Sequence, residues 1–378
     1  MLACLMVSMV IIIYCADIHG SCSYHEVLSS MCGPRAKAVV AFDIALATYG
    51  ICIAYLVTMG DQYDRIFASL VGSDFCKHWY LNRRFMMSMT AIAIFPICLL
   101  KRLDFLKHTG PLGIFAMLYV VFLSVYEYFQ MEPLAGNHIE EKREVSEIIA
   151  CIPVILFGYQ CNEVIVPIYA SLKDRNLTNF LKAAVTAYSI LVLLYCTVGT
   201  FGYLSYGSSV APNVMLMFNA SDPLVLLGII ALIFKMAVTY PQMAFAGREA
   251  LSGIIHQEPT ELEGEEVAAG DGSWRFWSSV VWFISSLLIA AYVPNIGIVL
   301  QTLGILAAVN VFVCPALCLF FLASRKDMNY GTRTKAMQII LATTLLIVGA
   351  FFIVFVVGQI YADVERSLKE GTKSLCTA

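Results

Sequence analysis

The sequence predicts an all-α polytopic membrane protein, and three observations carry that expectation. Hydrophobic residues fill 60% of the 378 positions and charged residues only 13%, against about a quarter charged in soluble domains. Mean hydropathy is +0.77. Nine runs are long and apolar enough, or nearly so, to cross a bilayer. A net charge of −3 offers no basic footprint for nucleic acid. The lipid bilayer is therefore the partner that composition demands.

A spanning helix needs about 20 apolar residues, each rising 1.5 Å, to cover about 30 Å of hydrocarbon. The segments that meet this test are 36–60, 84–100, 109–128, 146–171, 179–206, 222–247, 275–294, 296–323 and 336–361, of which the second is short. A tenth candidate is the stretch 1–15, uncharged until Asp17. As a helix it would reach only about 22 Å. A signal peptide would open on positive charge, and this stretch does not. The expectation is a partial spanning helix cut short before Met1. The whole of 1–361 then forms a single transmembrane domain, interrupted by an acidic cytosolic linker at 258–272 and followed by a non-cytosolic tail at 362–378.

Orientation follows from the basic residues in the loops. With the loop at 16–35 in the cytosol, fourteen Lys and Arg face the cytosol and nine face the opposite side. Asn219-Ala220-Ser221 is a glycosylation sequon on the non-cytosolic side, so Asn219 is the expected acceptor. Asn176-Leu177-Thr178 has the same pattern but falls on the cytosolic side and should stay unmodified. With ten helices both termini would be non-cytosolic, and one further upstream helix would restore a cytosolic start.

Segment 146–171 is the richest in chemistry. Between apolar halves it reads Phe157-Gly158-Tyr159-Gln160-Cys161-Asn162-Glu163, with Pro153 and Pro167 on either side. Polar residues and glycine at mid-span suggest an unwound stretch, tolerated only where protein or a water-filled cavity satisfies the freed backbone. Broken helices of this kind present backbone dipoles to substrate and ions in secondary transporters. A proline-kinked structural helix is the plainer alternative. In 222–247, Lys235, Thr239 and Gln242 follow i, i+4, i+7 spacing and form one polar stripe beside Pro241. A lysine at that depth normally faces the bundle interior with a partner. Asp43, on a face with Ala47, Gly50 and Ala54, or Glu163, is expected to pair with Lys235, as a coupling group or as a structural ion pair. Glu163 could instead lie at a helix end in water.

Other chemistry is sparse. The 13 cysteines show no CxxC pair and no zinc spacing, so neither a disulfide framework nor a metal cofactor is expected. No P-loop, HExxH or GxSxG motif occurs, and the chain is expected not to be an enzyme.

The run Phe157-Gly158-Tyr159-Gln160-Cys161 with Val166-Pro167 resembles the broken sixth helix of the sodium-coupled neutral amino-acid transporters, solute carrier family 38. In order along the chain, Tyr24-His25-Glu26-Val27, Gly60-Asp61-Gln62, Gly202-Tyr203-Leu204-Ser205-Tyr206-Gly207, Thr239-Tyr240-Pro241 and Pro294-Asn295-Ile296-Gly297 resemble other parts of that family. Within it the likeness is greatest to a lysosomal glutamine-exporting branch. The resemblance implies a LeuT-type inverted-repeat fold with about ten helices present and the first family helix missing. It implies an amino-acid site lined by Gly158, Tyr159, Gln160 and Cys161, and Thr239 as an oxygen ligand to sodium. Three departures bear on this. The missing helix supplies half of both family sites. Asn162 stands where related members often carry histidine, and Lys235 lies one turn before the implied sodium ligand, so protons are the alternative coupling ion. The resulting expectation is a multi-pass transporter of neutral, glutamine-like amino acids in the lysosomal or plasma membrane, working by alternating access. An amino-acid sensor without net flux and an inactive truncated isoform are the alternatives.

Overall fold

The computed structural model describes residues 2–72, 78–99, 109–130, 145–173, 175–211, 213–255, 272–293, 296–325 and 331–370. Among them the chain forms thirteen α-helices: α1 Leu2–His19, α2 Tyr24–Cys32, α3 Pro34–Val71, α4 Arg83–Cys98, α5 Thr109–Gln130, α6 Val145–Tyr159, α7 Asn162–Ala170, α8 Leu177–Tyr206, α9 Pro223–Ile255, α10 Gly272–Tyr292, α11 Ile296–Ala308, α12 Cys314–Ser324 and α13 Thr332–Glu370. Short polar signals set their ends. The Glu26 carboxylate reaches back to accept from the Ser23 backbone N–H at 3.2 Å, opening α2. Gly33, at φ +92°, turns the chain into Pro34 at the start of α3. Asn82 and Asn176 cap α4 and α8 by accepting from Arg84 N–H and Thr178 N–H.

Nine of these stretches, with α6–α7 and α11–α12 each taken as one, are long and apolar enough to cross a membrane among the described residues. Three boundaries correct the sequence reading. The first helix does not stop at residue 15 but runs 18 residues to His19, about 27 Å. The 84–100 segment yields only the 16-residue α4, which is too short to count by that test. The expected tail at 362–378 is helical as far as Glu370, because Ala, Glu, Arg, Leu and Lys extend a helix beyond the apolar stretch that lipid requires. Nearly all of the acidic linker, and much of the basic loop sequence used for orientation, lie outside the described residues.

The 38-residue α3 is the centre of the bundle, packed against α9, α11, α2, α10 and α4. Its face with Asp43, Ala47 and Ala54 is buried, as expected of small residues at a helix contact. Helix α11 lies so close to α6 that a Cβ at Gly304 would stand 2.6 Å from Pro153, so only glycine fits there. Outward faces are apolar: Leu193 of α8 is 67% exposed and Val354 of α13 73%, the surface a hydrocarbon solvent calls for. Between α11 and α12 the chain widens into one π turn, Val309–Val313, a local irregularity that frequently accompanies function.

Candidate functional site

Helix α6 ends at Tyr159 and α7 begins at Asn162, leaving Gln160 and Cys161 between them. The break is narrower than the sequence suggested, because Gly158 and Tyr159 still belong to the last turn of α6. Two phenols of α8 satisfy the carbonyls at this end. Tyr188 donates to Tyr159 O at 2.8 Å and Tyr195 to Gly158 O at 3.3 Å. The Tyr188 hydroxyl also lies 3.4 Å from Cys161 Sγ. Carbonyls left bare at that depth would cost several kcal/mol each, so α8 makes the break affordable. Sequence reasoning overlooked both tyrosines, although their spacing of seven places them on one helix face.

Asn310, inside the π turn and 1% exposed, gathers the polar groups around the break. Its Nδ2 donates to Asp43 Oδ2 at 2.6 Å and to Glu163 Oε1 at 3.0 Å. Glu163, in the first turn of α7, also accepts from Gln160 Nε2 at 3.1 Å. The Asn310 backbone carbonyl accepts from Tyr24 Oη at 3.3 Å and from Asn162 Nδ2 at 2.8 Å. Asn162 Nδ2 reaches Ser8 Oγ at 2.6 Å as well. Helices α2, α3 and α7 thus meet on one residue, and α1 joins them through Asn162. Burial pushes the Tyr24 hydroxyl, on the short α2, well above the usual phenol range, so it remains a donor. Asn310 carried a visible signal, a lone amide inside an apolar run, which the sequence reading passed over.

The expected pairing of Asp43 or Glu163 with Lys235 is not what the structure shows. Lys235 Nζ lies 5.5 Å from the centre of the Tyr55 ring, within cation–π range, and the ion pair recorded among the described residues is Arg83 with Asp61. The reason is axial distance. Asp43 and Tyr55 are twelve residues apart on α3, about 18 Å along the helix, so the lysine and the carboxylate sit at different depths.

Lys235 instead lines a cavity of about 850 Å³ between α3, α5, α6, α8 and α9. The stripe Lys235, Thr239 and Gln242 all faces it, together with Thr58, Tyr195 and Asn213, within an otherwise largely apolar wall. Gly113 of α5 stands opposite the lysine, where a Cβ would come within 3.4 Å of Lys235 Cγ. Thr239 Oγ1 donates to Lys235 O at 2.7 Å, which leaves its lone pairs to accept a hydrogen bond or to contact a cation. The residues Gly158–Cys161 do not line this cavity; Tyr195 links the two regions by lining one and bonding the other. No group of three or more His, Cys, Asp or Glu is arranged to hold a metal ion among the described residues. Asn219 is exposed in the turn before α9, its Oδ1 accepting from Ser221 N–H at 3.1 Å.

A helical bundle with a discontinuous span and polar groups gathered at the discontinuity has the build of a secondary transporter. Comparison with known proteins identifies which kind. The family described as transmembrane amino acid transporter protein matches residues 1–362, and the chain belongs to it. It is similar to sodium-coupled neutral amino acid transporter 7 of Danio rerio, 29% identical over 362 residues, covering 93% of this chain and 76% of that protein. The Homo sapiens protein of the same name is 29% identical over 325 residues, 84% and 70% of the two chains. Solute carrier family 38 member 8 of Mus musculus is 24% identical over 354 residues, 91% and 80%. The chain is accordingly a multi-pass membrane protein of amino-acid transport and not an enzyme.

Proposed function

We propose that this chain moves neutral amino acids of the glutamine class across the bilayer by alternating access, coupled to sodium or protons. The observation that carries the reading is the break at Gln160–Cys161, held open by Tyr188 and Tyr195. It leaves the first-turn N–H groups of α7 and the Gln160 amide at mid-span, where they suit a zwitterion's carboxylate and a polar side chain. Gly158, Tyr159, Gln160 and Cys161 are the substrate-contacting residues in this reading, and Thr239 offers an oxygen to sodium. The names of the similar proteins support sodium. Protons are favoured by one specific feature, the Lys235 ammonium in the same cavity as Thr239, since a fixed cation repels a mobile one. Placement in the lysosomal or plasma membrane and glycan attachment at Asn219 belong to the same proposal.

Purified protein in proteoliposomes tests it. Saturable uptake of labelled glutamine is expected, driven by an imposed sodium or proton gradient. Thr239→Val should weaken sodium stimulation, if sodium is the coupling ion, more than uptake at zero gradient. Absence of saturable flux for any neutral amino acid, with binding retained, would overturn transport in favour of a sensor. A mobility shift on Asn219→Gln reports the glycan.

A further inference from the structure

We infer that Asp43 and Glu163 share one exchangeable proton beneath Asn310, at a site separate from the cavity that holds Thr239 and Lys235. Both carboxylates contact the same Asn310 nitrogen, at 2.6 and 3.0 Å, so those oxygens are at most about 6 Å apart, close enough for like charges to oppose one another. Among the described residues no positive side chain balances them. The titratable groups facing the pair are Tyr24 from α2, Cys314 from α12 and Cys161 in the break; α1 contributes the uncharged Ser8, bonded to Asn162. None of these supplies a cation. The N-terminus of α7 favours negative charge on Glu163 in its first turn, but one helix end carries only about half a charge. It can sustain one carboxylate, not two.

An independent observation points the same way. Asn310 Oδ1 and Asn162 Oδ1 are buried with no hydrogen-bond partner among the described residues, and their side chains are 1% and 0% exposed. The cluster therefore holds two carboxylates and two unmet acceptors, and is short of hydrogens. A single proton on the pair eases the shortage by one hydrogen: a protonated carboxyl donates, either to its partner carboxylate or to the Asn310 oxygen. A metal ion fits less well, because the Asn310 NH2 group already contacts both carboxylates where such an ion would need oxygens. The proton belongs to the pair rather than to either residue. Asp43 rides on α3, Glu163 on α7 and Asn310 on the π turn, so movement of α7 away from α3 would separate the carboxylates and release it.

What the proton would do rests on the transport reading, but its presence does not. Infrared difference spectra of the purified protein in lipid, recorded across pH steps, read protonated carboxyls directly and need no variant. A protonated-carboxyl band at neutral pH is expected in the wild type, lost in both Asp43→Asn and Glu163→Gln, and unaffected by sodium. Absence of the band in the wild type, its survival in either variant, or its discharge by sodium would overturn the shared proton, the last in favour of a cation site. In proteoliposomes with an entrapped pH dye, glutamine should carry protons with it in the wild type but not in Glu163→Gln. A band that behaves as expected, with no saturable amino-acid flux, would sink the transport reading and leave the proton site standing.

Discussion

Around Asn310, polar groups are packed closely enough that its side-chain amide serves two carboxylates while a hydroxyl and a second amide share its backbone carbonyl. Around Lys235, a comparable set of polar residues lines about 850 Å³ of open volume, and the ammonium itself lies over an aromatic ring. Both regions lie inside the same bundle, and both carry charge that hydrocarbon would reject. The first lowers that cost by hydrogen bonding, the second by facing a space that water or a solute can enter. A buried charge therefore need not find its opposite number, provided donors or solvent reach it. The hydrogen-bonded cluster suits a group that binds something as small as a proton, and the open cavity suits water or a mobile ion.

Substitutions can break this contrast. The largest effect is expected at Asn310. Asn310→Ala strips the donor from two buried carboxylates and should cost about 3 kcal/mol of stability, visible as a lower unfolding temperature in detergent; an unchanged transition would mean the cluster is loosely held. At Lys235 the prediction runs the other way. Lys235→Met should leave the unfolding temperature nearly unchanged, since no ion pair is lost, yet reduce gradient-driven flux about tenfold, the equivalent of roughly 1.4 kcal/mol of lost interaction. If stability collapses instead, the lysine is a structural member of the closed kind. Tyr188→Phe removes the donor to Tyr159 O and should cost about 1 kcal/mol, measured in the same unfolding experiment. Tyr195→Phe acts on a longer bond at a more exposed position and should cost less than half of that. Equal losses at the two tyrosines would show that the break is held as one unit and not chiefly from the Tyr188 side.

The residues differ in how far they could be read in advance. The polar break stood out because Gln160, Asn162 and Glu163 interrupt an apolar run, and the Lys235, Thr239, Gln242 stripe because helical periodicity puts all three on one face. Their companions were less visible. Tyr188 and Tyr195 read as ordinary aromatic residues of a spanning helix until their hydroxyls were found on the carbonyls of α6. Asn310 gave no hint that its helix would widen into a π turn and expose a backbone oxygen to Tyr24 and Asn162.

The pairing of charges failed for a related reason: sign, and for Asp43 a face of small residues, suggested Asp43 or Glu163 with Lys235, but neither signal carries depth. By itself the sequence determined the solvent and the apolar spans, because composition and run length respond to hydrocarbon thickness, a property every span meets alone. Only the tertiary structure decided which polar groups meet. That depends on the crossing of α3 with α9 and α11, where about 18 Å of α3 lies between Asp43 and the tyrosine that Lys235 meets.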